Sequence, residues 1–155
     1  MDVGGTRDSE RVVVGVDGSP CSARALAWAA DEAKSHGAQL HVLTTYTLPA
    51  SPVGAGYSAP QWAGEQAWEH RDQVRDLART LQERVVEETL GDHPGLRLSS
   101  EVLEGSAAGR LIEASKDARL VVVGSRGHGG FAGMLLGSVG QHLVPHAACT
   151  VAVVR

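Results

Sequence analysis

Four glycines in seven residues, Gly124-Ser-Arg-Gly-His-Gly-Gly130, followed by Gly137-Ser138, form the stretch of this chain best suited to chemistry. A segment so poor in side chains has two readings: a loop whose backbone approaches a ligand closely, or a tight strand-to-helix turn with no ligand. Gly137-Ser138 favours the first, because free N–H groups, a hydroxyl and the positive dipole end converge where a helix begins. Successive amides of such a loop can form a nest around phosphate oxygens, so phosphate is the natural guest. Ser125, Arg126, His128 and Gly129 belong to the same loop; Arg126 and His128 could touch phosphates or only solvate the turn. The second chemical feature is Asp17, which closes Gly15-Val16-Asp17 and places a carboxylate at the tip of the first apolar run.

Other chemistries fail on spacing. Lys34 and Lys116 are the only lysines and lie away from the glycine loop, so the G-x-x-x-x-G-K-[ST] phosphate loop is absent. Dinucleotide binding needs G-x-G-x-x-G after the first strand, where only Gly15-Val-Asp-Gly18 stands. A hydrolase triad of Ser125, His128 and Asp17 would need an unusual turn, because Ser125 sits in G-S-R-G and not in G-x-S-x-G. His142 and His146 are four apart, but no glutamate follows His142 and Pro145 disturbs the turn, so they read as surface histidines; no metal site is expected. His41 reads as a sheet histidine, and no catalytic residue is assigned.

The elements that must carry these groups follow from periodicity. Arg11 to Asp17 is apolar on both faces, as in a central parallel strand. Gly18 turns the chain, Ser19 suits a helix N-cap and Pro20 the first helical position, and Ala23, Leu26, Ala27, Ala30 and Ala33 recur at helical spacing until Gly37. Gln39 to Thr45 is the second strand, and Tyr46 to Gly64 is a Pro- and Gly-rich loop. From about Trp62 to Leu90, Val74, Leu77, Ala78, Leu81 and Val85 form a helical stripe, with Asp72–Arg75 and Asp76–Arg79 pairs on the wet side. Leu96, Leu98 and Val102 alternate with polar residues, as on an edge strand; Ser106 caps a third helix, Leu120 to Val123 is a fourth strand, and Thr150 to Val154 a fifth. Short crossover helices between β-branched runs call for an α/β fold with a doubly wound parallel sheet.

At 155 residues the chain fits one domain, and 43% hydrophobic residues can build a core. We expect a flexible tail over residues 1–10 and one domain over 11–155. A net charge of −4 disfavours bulk nucleic-acid binding, and 4% aromatics are too few for a base-stacking platform. Cys21 and Cys149 form no disulfide framework, which suits the cytoplasm, and no apolar run reaches bilayer length, so no membrane association is expected.

The glycine spacing and both ends of the chain resemble the universal stress protein family. Its nucleotide signature, G-x2-G-x9-G-[ST], is met by Gly124, Gly127, Gly137 and Ser138, with V-V-V-G-V-D-G-S at Val12 to Ser19 and T-V-A-V-V-R at Thr150 to Arg155. The resemblance implies a Rossmann-like five-stranded sheet of order 3-2-1-4-5 in three α/β/α layers, and a regulatory module that binds ATP. Because Asp17 near a triphosphate would be repelled unless it faced ribose or a bound Mg²⁺, Mg²⁺ is expected to travel with the nucleotide. By the same resemblance Gly15, Val16 and Asp17 line the adenosine end, the backbone of Val42 reads the adenine edge, and Ala114 closes the pocket. Gly124, Ser125, Arg126, Gly127, His128, Gly129 and Gly130 wrap ribose and phosphates, and Gly137, Ser138 and Val139 hold the phosphate tail. Homodimerisation through Thr150 to Val154 is also implied. Fast ATP turnover is not expected, since the loop offers only Arg126 and His128, although slow hydrolysis or autophosphorylation is compatible with it. The alternatives are a nucleotide-free homodimeric interaction module of the same fold, and an adenylate-transferring enzyme for which no catalytic set is visible.

Overall fold

The computed structural model describes residues 10–48, 61–129 and 133–155. The expected tail, apart from Glu10, most of the Pro-rich loop and Gly130 lie outside these. The elements run β1 (Arg11–Gly15), α1 (Pro20–Ser35), β2 (Gln39–Tyr46), α2 (Gln61–Leu90), β3 (Arg97–Glu104), α3 (Ala107–Ala114), a 3-10 turn at Ser115–Asp117, β4 (Leu120–Gly124), α4 (Ser138–His146) and β5 (Thr150–Val154). The five strands form one parallel sheet of order β3-β2-β1-β4-β5, in agreement with the expected fold and strand order.

Alternation along β1 explains its unbroken valine run. Val12 and Val14 enter a core with Leu26, Ala29, Ala30 and Val85 under α1 and α2. Val13 points the other way, to Leu111, Val121 and Leu143 under α3 and α4. All three valines are fully buried, as in a strand covered on both faces. The β1–α1 connection follows the expected chemistry: Gly18 takes φ 82°, Ser19 Oγ accepts the Ser22 N–H at 3.2 Å, and Pro20 opens the helix.

Several expectations need correction. β1 stops at Gly15, so Val16 and Asp17 lie beyond the strand and belong to the connection that shapes the site. On α2, Leu77 is 71% exposed and Gln82 only 2% exposed, because the inward stripe, through half-buried Val74, Ala78 and Leu81 and buried Val85, is turned toward Gln82. Gln82 Nε2 donates to Val42 O, Thr44 Oγ1 and Glu101 O at 3.1, 3.1 and 2.9 Å, which ties α2 to β2 and β3. Arg75 pairs with Asp72 at 3.2 Å and lies 3.8 Å from Asp76, in place of the expected Asp76–Arg79 pair. The third strand is the half-exposed edge strand expected, but it starts at Arg97, after Leu96, and Leu98 is 43% exposed because a single neighbouring strand leaves its flank open. Among the described residues, no helix is long and apolar enough to cross a membrane.

Candidate functional site

The chain winds from β1 toward β2 in one direction and reaches β4 on the other side, so the carboxyl ends of β1 and β4 flank a topological switch point. The cleft there has two compartments. An apolar one of about 80 Å³ is walled by Gly15, Val16, Leu43, Thr45, Ala107 and Leu111. The other, of about 410 Å³, is walled by Gly127, His128, Gly129, Gly137, Ser138, Val139 and Gly140. Asp17, Gly124, Gly127 and Val139 line both, and together the compartments fall in the ~300–1,000 Å³ range of small-ligand sites.

Backbone pairing continues past the end of β1 and fixes the carboxylate. Val16 N–H donates to Leu43 O at 2.9 Å, and Thr44 Oγ1 donates to Val16 O at 2.9 Å. Asp17 then leaves the sheet, and its Oδ1 accepts the Ser19 N–H at 2.9 Å. Burial pushes the Asp17 carboxyl upward, but hydrogen bonds from Ser19 and Ser22 and the charge of His128 outweigh it and hold it below the ordinary carboxylate range. The group is therefore an anion at neutral pH. His128 Nε2 lies 2.8 Å from Asp17 O; a carbonyl only accepts, so Nε2 carries the proton.

The glycines divide by what surrounds them. A Cβ at Gly124 would stand 2.8 Å from the Cys21 backbone, and one at Gly127 would stand 2.6 Å from Asp17 Oδ2. One at Gly137 would meet Ser125 O at 3.3 Å. None of these glycines has a left-handed φ, so internal close approach accounts for them. Gly129 differs: its Cβ would meet no described atom within 4 Å, and its φ is ordinary. Its bareness leaves space beside the cleft that no described atom fills.

The start of α4 is an anion-attracting feature of this cleft. Ser19 and Ser106 cap α1 and α3 with their side chains, whereas Gly137 caps α4 with none. The first-turn amides of Ser138, Val139 and Gly140 lack intrahelical acceptors by position, and all three residues line the larger compartment. Gly140, whose Cβ would meet Leu136 Cδ1 at 2.5 Å, and Pro145 in the last turn do not prevent a nine-residue helix.

Not every expected site residue is brought together here. Val42 is fully buried in the α1–α2 core, and its carbonyl accepts from Gln82, so Leu43 and Thr45 stand in the cleft instead. Ala114 packs into the α3–α4 core, and the helix presents Ala107 and Leu111 from its earlier turns. Ser125 sends its hydroxyl toward Cys21 Sγ, 4.0 Å away, on the other side of the loop, while its carbonyl accepts the Gly137 N–H at 2.7 Å. A Ser125–His128–Asp17 triad is thus not assembled, since His128 meets the Asp17 main chain and Ser125 faces elsewhere. His146 Nδ1 bonds His142 O at 2.9 Å, and among the described residues no cluster of three metal-ligating side chains occurs. Sequence reasoning misses Ser22, Leu43, Thr45, Ala107, Leu111 and Val123 as wall residues. Strand parity is the available signal: Leu43 pairs with Gly15, whereas Val42 pairs with Val14, which is buried under α1.

Comparison with known proteins bears on the family and the fold. The universal stress protein family profile matches residues 9–155. A universal stress protein of Mycolicibacterium smegmatis is 35% identical over 144 residues, covering 93% of this chain and 47% of the relative, so the chain spans about half that relative's length. Among solved structures, universal stress protein UspA from Lactobacillus plantarum shares the fold, with a TM-score of 0.64 at 23% identity, covering 95% of this chain and 98% of the other. A universal stress protein solved in complex with cAMP has a TM-score of 0.56 at 26% identity, covering 94% and 96%. By sequence, strand order and these likenesses, the chain belongs to the universal stress protein family.

Proposed function

We propose that the chain is a regulatory module of the stress response that binds ATP in the cleft between the ends of β1 and β4. The observation that carries this reading is the junction of an apolar compartment with the uncapped amides of α4, at the positions of the family's glycine signature. In this reading the base enters between Val16, Leu43, Ala107 and Leu111, and Asp17 faces the ribose or Mg²⁺. The amides of Gly127, Gly129, Ser138 and Val139 hold phosphates, beside His128. Bound cAMP in a solved relative supports a guest that combines adenine, ribose and phosphate.

The donor set fits a magnesium ion that travels with the nucleotide: Mg²⁺ is commonly held by one or two carboxylates plus phosphate oxygens, and Asp17 supplies one ionised carboxylate at the junction. Fast turnover does not belong to the proposal. His128 Nε2 is occupied by the Asp17 carbonyl, and Arg126 is the one cationic side chain that lines the apolar compartment, among the described residues. The module would act by changing between nucleotide-bound and free states in the cytoplasm, as a homodimer joined at β5.

Calorimetric titration with ATP, with and without Mg²⁺, tests this directly. Wild type should bind and gain thermal stability, and Gly129→Val should lose at least tenfold in affinity at unchanged melting temperature in the absence of nucleotide. Gly129 is the appropriate position because no described part of the chain needs it bare. Absence of binding in wild type, with no adenine nucleotide released on denaturation, would instead favour the nucleotide-free interaction module.

A further inference from the structure

A second cavity, of about 430 Å³, lies on the opposite side of the β4–α4 loop, between the first turns of α1 and the end of β5. Arg24, Arg126 and Arg155 line it and, among the described residues, no Asp or Glu does. In a chain with net charge −4, three arginines lining one cavity are an uneven distribution of charge. None of the three forms an ion pair among the described residues. Arg24 Nη2 instead rests 3.1 Å from Cys21 Sγ, a weak acceptor.

The wall supplies an independent indication of a ligand. Ser125 is 4% exposed and lines this cavity, and among the described residues its hydroxyl finds only Cys21 Sγ, at 4.0 Å. A buried hydroxyl with so distant a partner retains hydrogen-bonding capacity that an oxyanion would use, and planar guanidinium forks match phosphate oxygens in pairs. We infer that Arg24, Arg126, Arg155 and Ser125 form a second anion site, selective for a compact phosphate group, free or esterified. Arg126 also lines the apolar compartment of the first cleft, so the two sites meet at one side chain. The inference does not depend on nucleotide occupying that cleft.

The test is a titration of the isotope-labelled chain with orthophosphate at low ionic strength, followed by amide shifts, with a phosphoserine peptide in a parallel arm. Shifts at Cys21, Arg24 and Ser125 should saturate, and the double variant R24Q/R155Q should weaken binding at least fivefold. R79Q/R84Q, which removes the same charge from the exposed face of α2, should leave it unchanged. Tighter binding of the peptide identifies a phosphorylated partner, and equal binding identifies free phosphate. ATP affinity measured on R24Q/R155Q should stay within twofold of wild type, which separates this site from the nucleotide cleft. Shifts confined to Gly129, Ser138 and Val139, equal loss in both double variants, or no saturable binding would overturn the inference.

Discussion

His41 is held at both ring nitrogens: Nδ1 lies 2.8 Å from Ser99 Oγ and Nε2 lies 3.2 Å from Glu101 Oε2. A carboxylate accepts only, so Nε2 carries the proton, and in the neutral ring Nδ1 accepts from the Ser99 hydroxyl. Burial and the charge of Arg11 push its pKa below the ordinary histidine value, against the opposing pull of Glu101. A folded-state value below the unfolded one gives stability that is complete above the unfolded pKa of about 6.5 and is lost as pH falls through the window below it. Urea melts of wild type and His41→Gln at pH 7.5 and 5.5 check this. Wild type should lose more stability than the variant between those two values, and equal losses would exclude His41 as the source.

The glycines make a second prediction at the same scale. Gly124→Ala forces a methyl group into the Cys21 backbone and should cost about 1–3 kcal/mol in denaturant unfolding, whereas Gly129→Ala should cost almost nothing. Counting glycines in the sequence could not make this separation. Close approach to Cys21 depends on how α1 lies against the end of β4, which is a tertiary fact. Asp17 was legible because it ends an apolar run. The choice of Val42 over Leu43 was not, because it depends on which face of β2 the cleft occupies.

Among the elements, α1 and α4 show how one residue type at a helix start separates a structural end from a receptive one. Ser19 closes α1 by accepting the Ser22 N–H, and its own N–H binds Asp17 Oδ1, so the cap also orients the site carboxylate. Ser19→Ala should cost about 0.5–2 kcal/mol of stability by thermal or urea unfolding. Gly137 gives α4 no such closure. Both caps were readable in the sequence, since Ser-Pro and Gly-Ser each precede a periodic apolar stretch. The stripe of α2 was less so, because Gln82 is polar and yet buried, and only the neighbouring acceptors on β2 and β3 explain its place. Gln82→Leu leaves those acceptors with fewer donors and should cost about 1–3 kcal/mol, although it adds apolar surface to a buried position. A denaturant melt showing a gain in stability would mean that the hydrogen bonds of Gln82 Nε2, two N–H groups shared among three acceptors, are worth less than the apolar surface.

At the scale of the whole molecule the sheet has two edges, and they differ in charge. β3 carries Arg97, Glu101 and Glu104, the kind of side chains that discourage a further strand from pairing. β5, Thr-Val-Ala-Val-Val, carries no charge and, among the described residues, pairs with β4 alone, with Val153 37% exposed. An uncharged edge of this kind is satisfied most simply by the same strand of a second copy, since a two-fold axis lets one patch serve both partners. Sedimentation velocity at tens of micromolar should therefore show wild type as a dimer and Val153→Lys as a monomer, because a lysine there would meet its symmetry mate or bury its charge in the joint. Val153 lines neither compartment of the cleft, so ATP affinity per chain should change little in the monomeric variant. A wild type that sediments as a monomer, or a lysine variant that remains dimeric, would remove β5 as the joint.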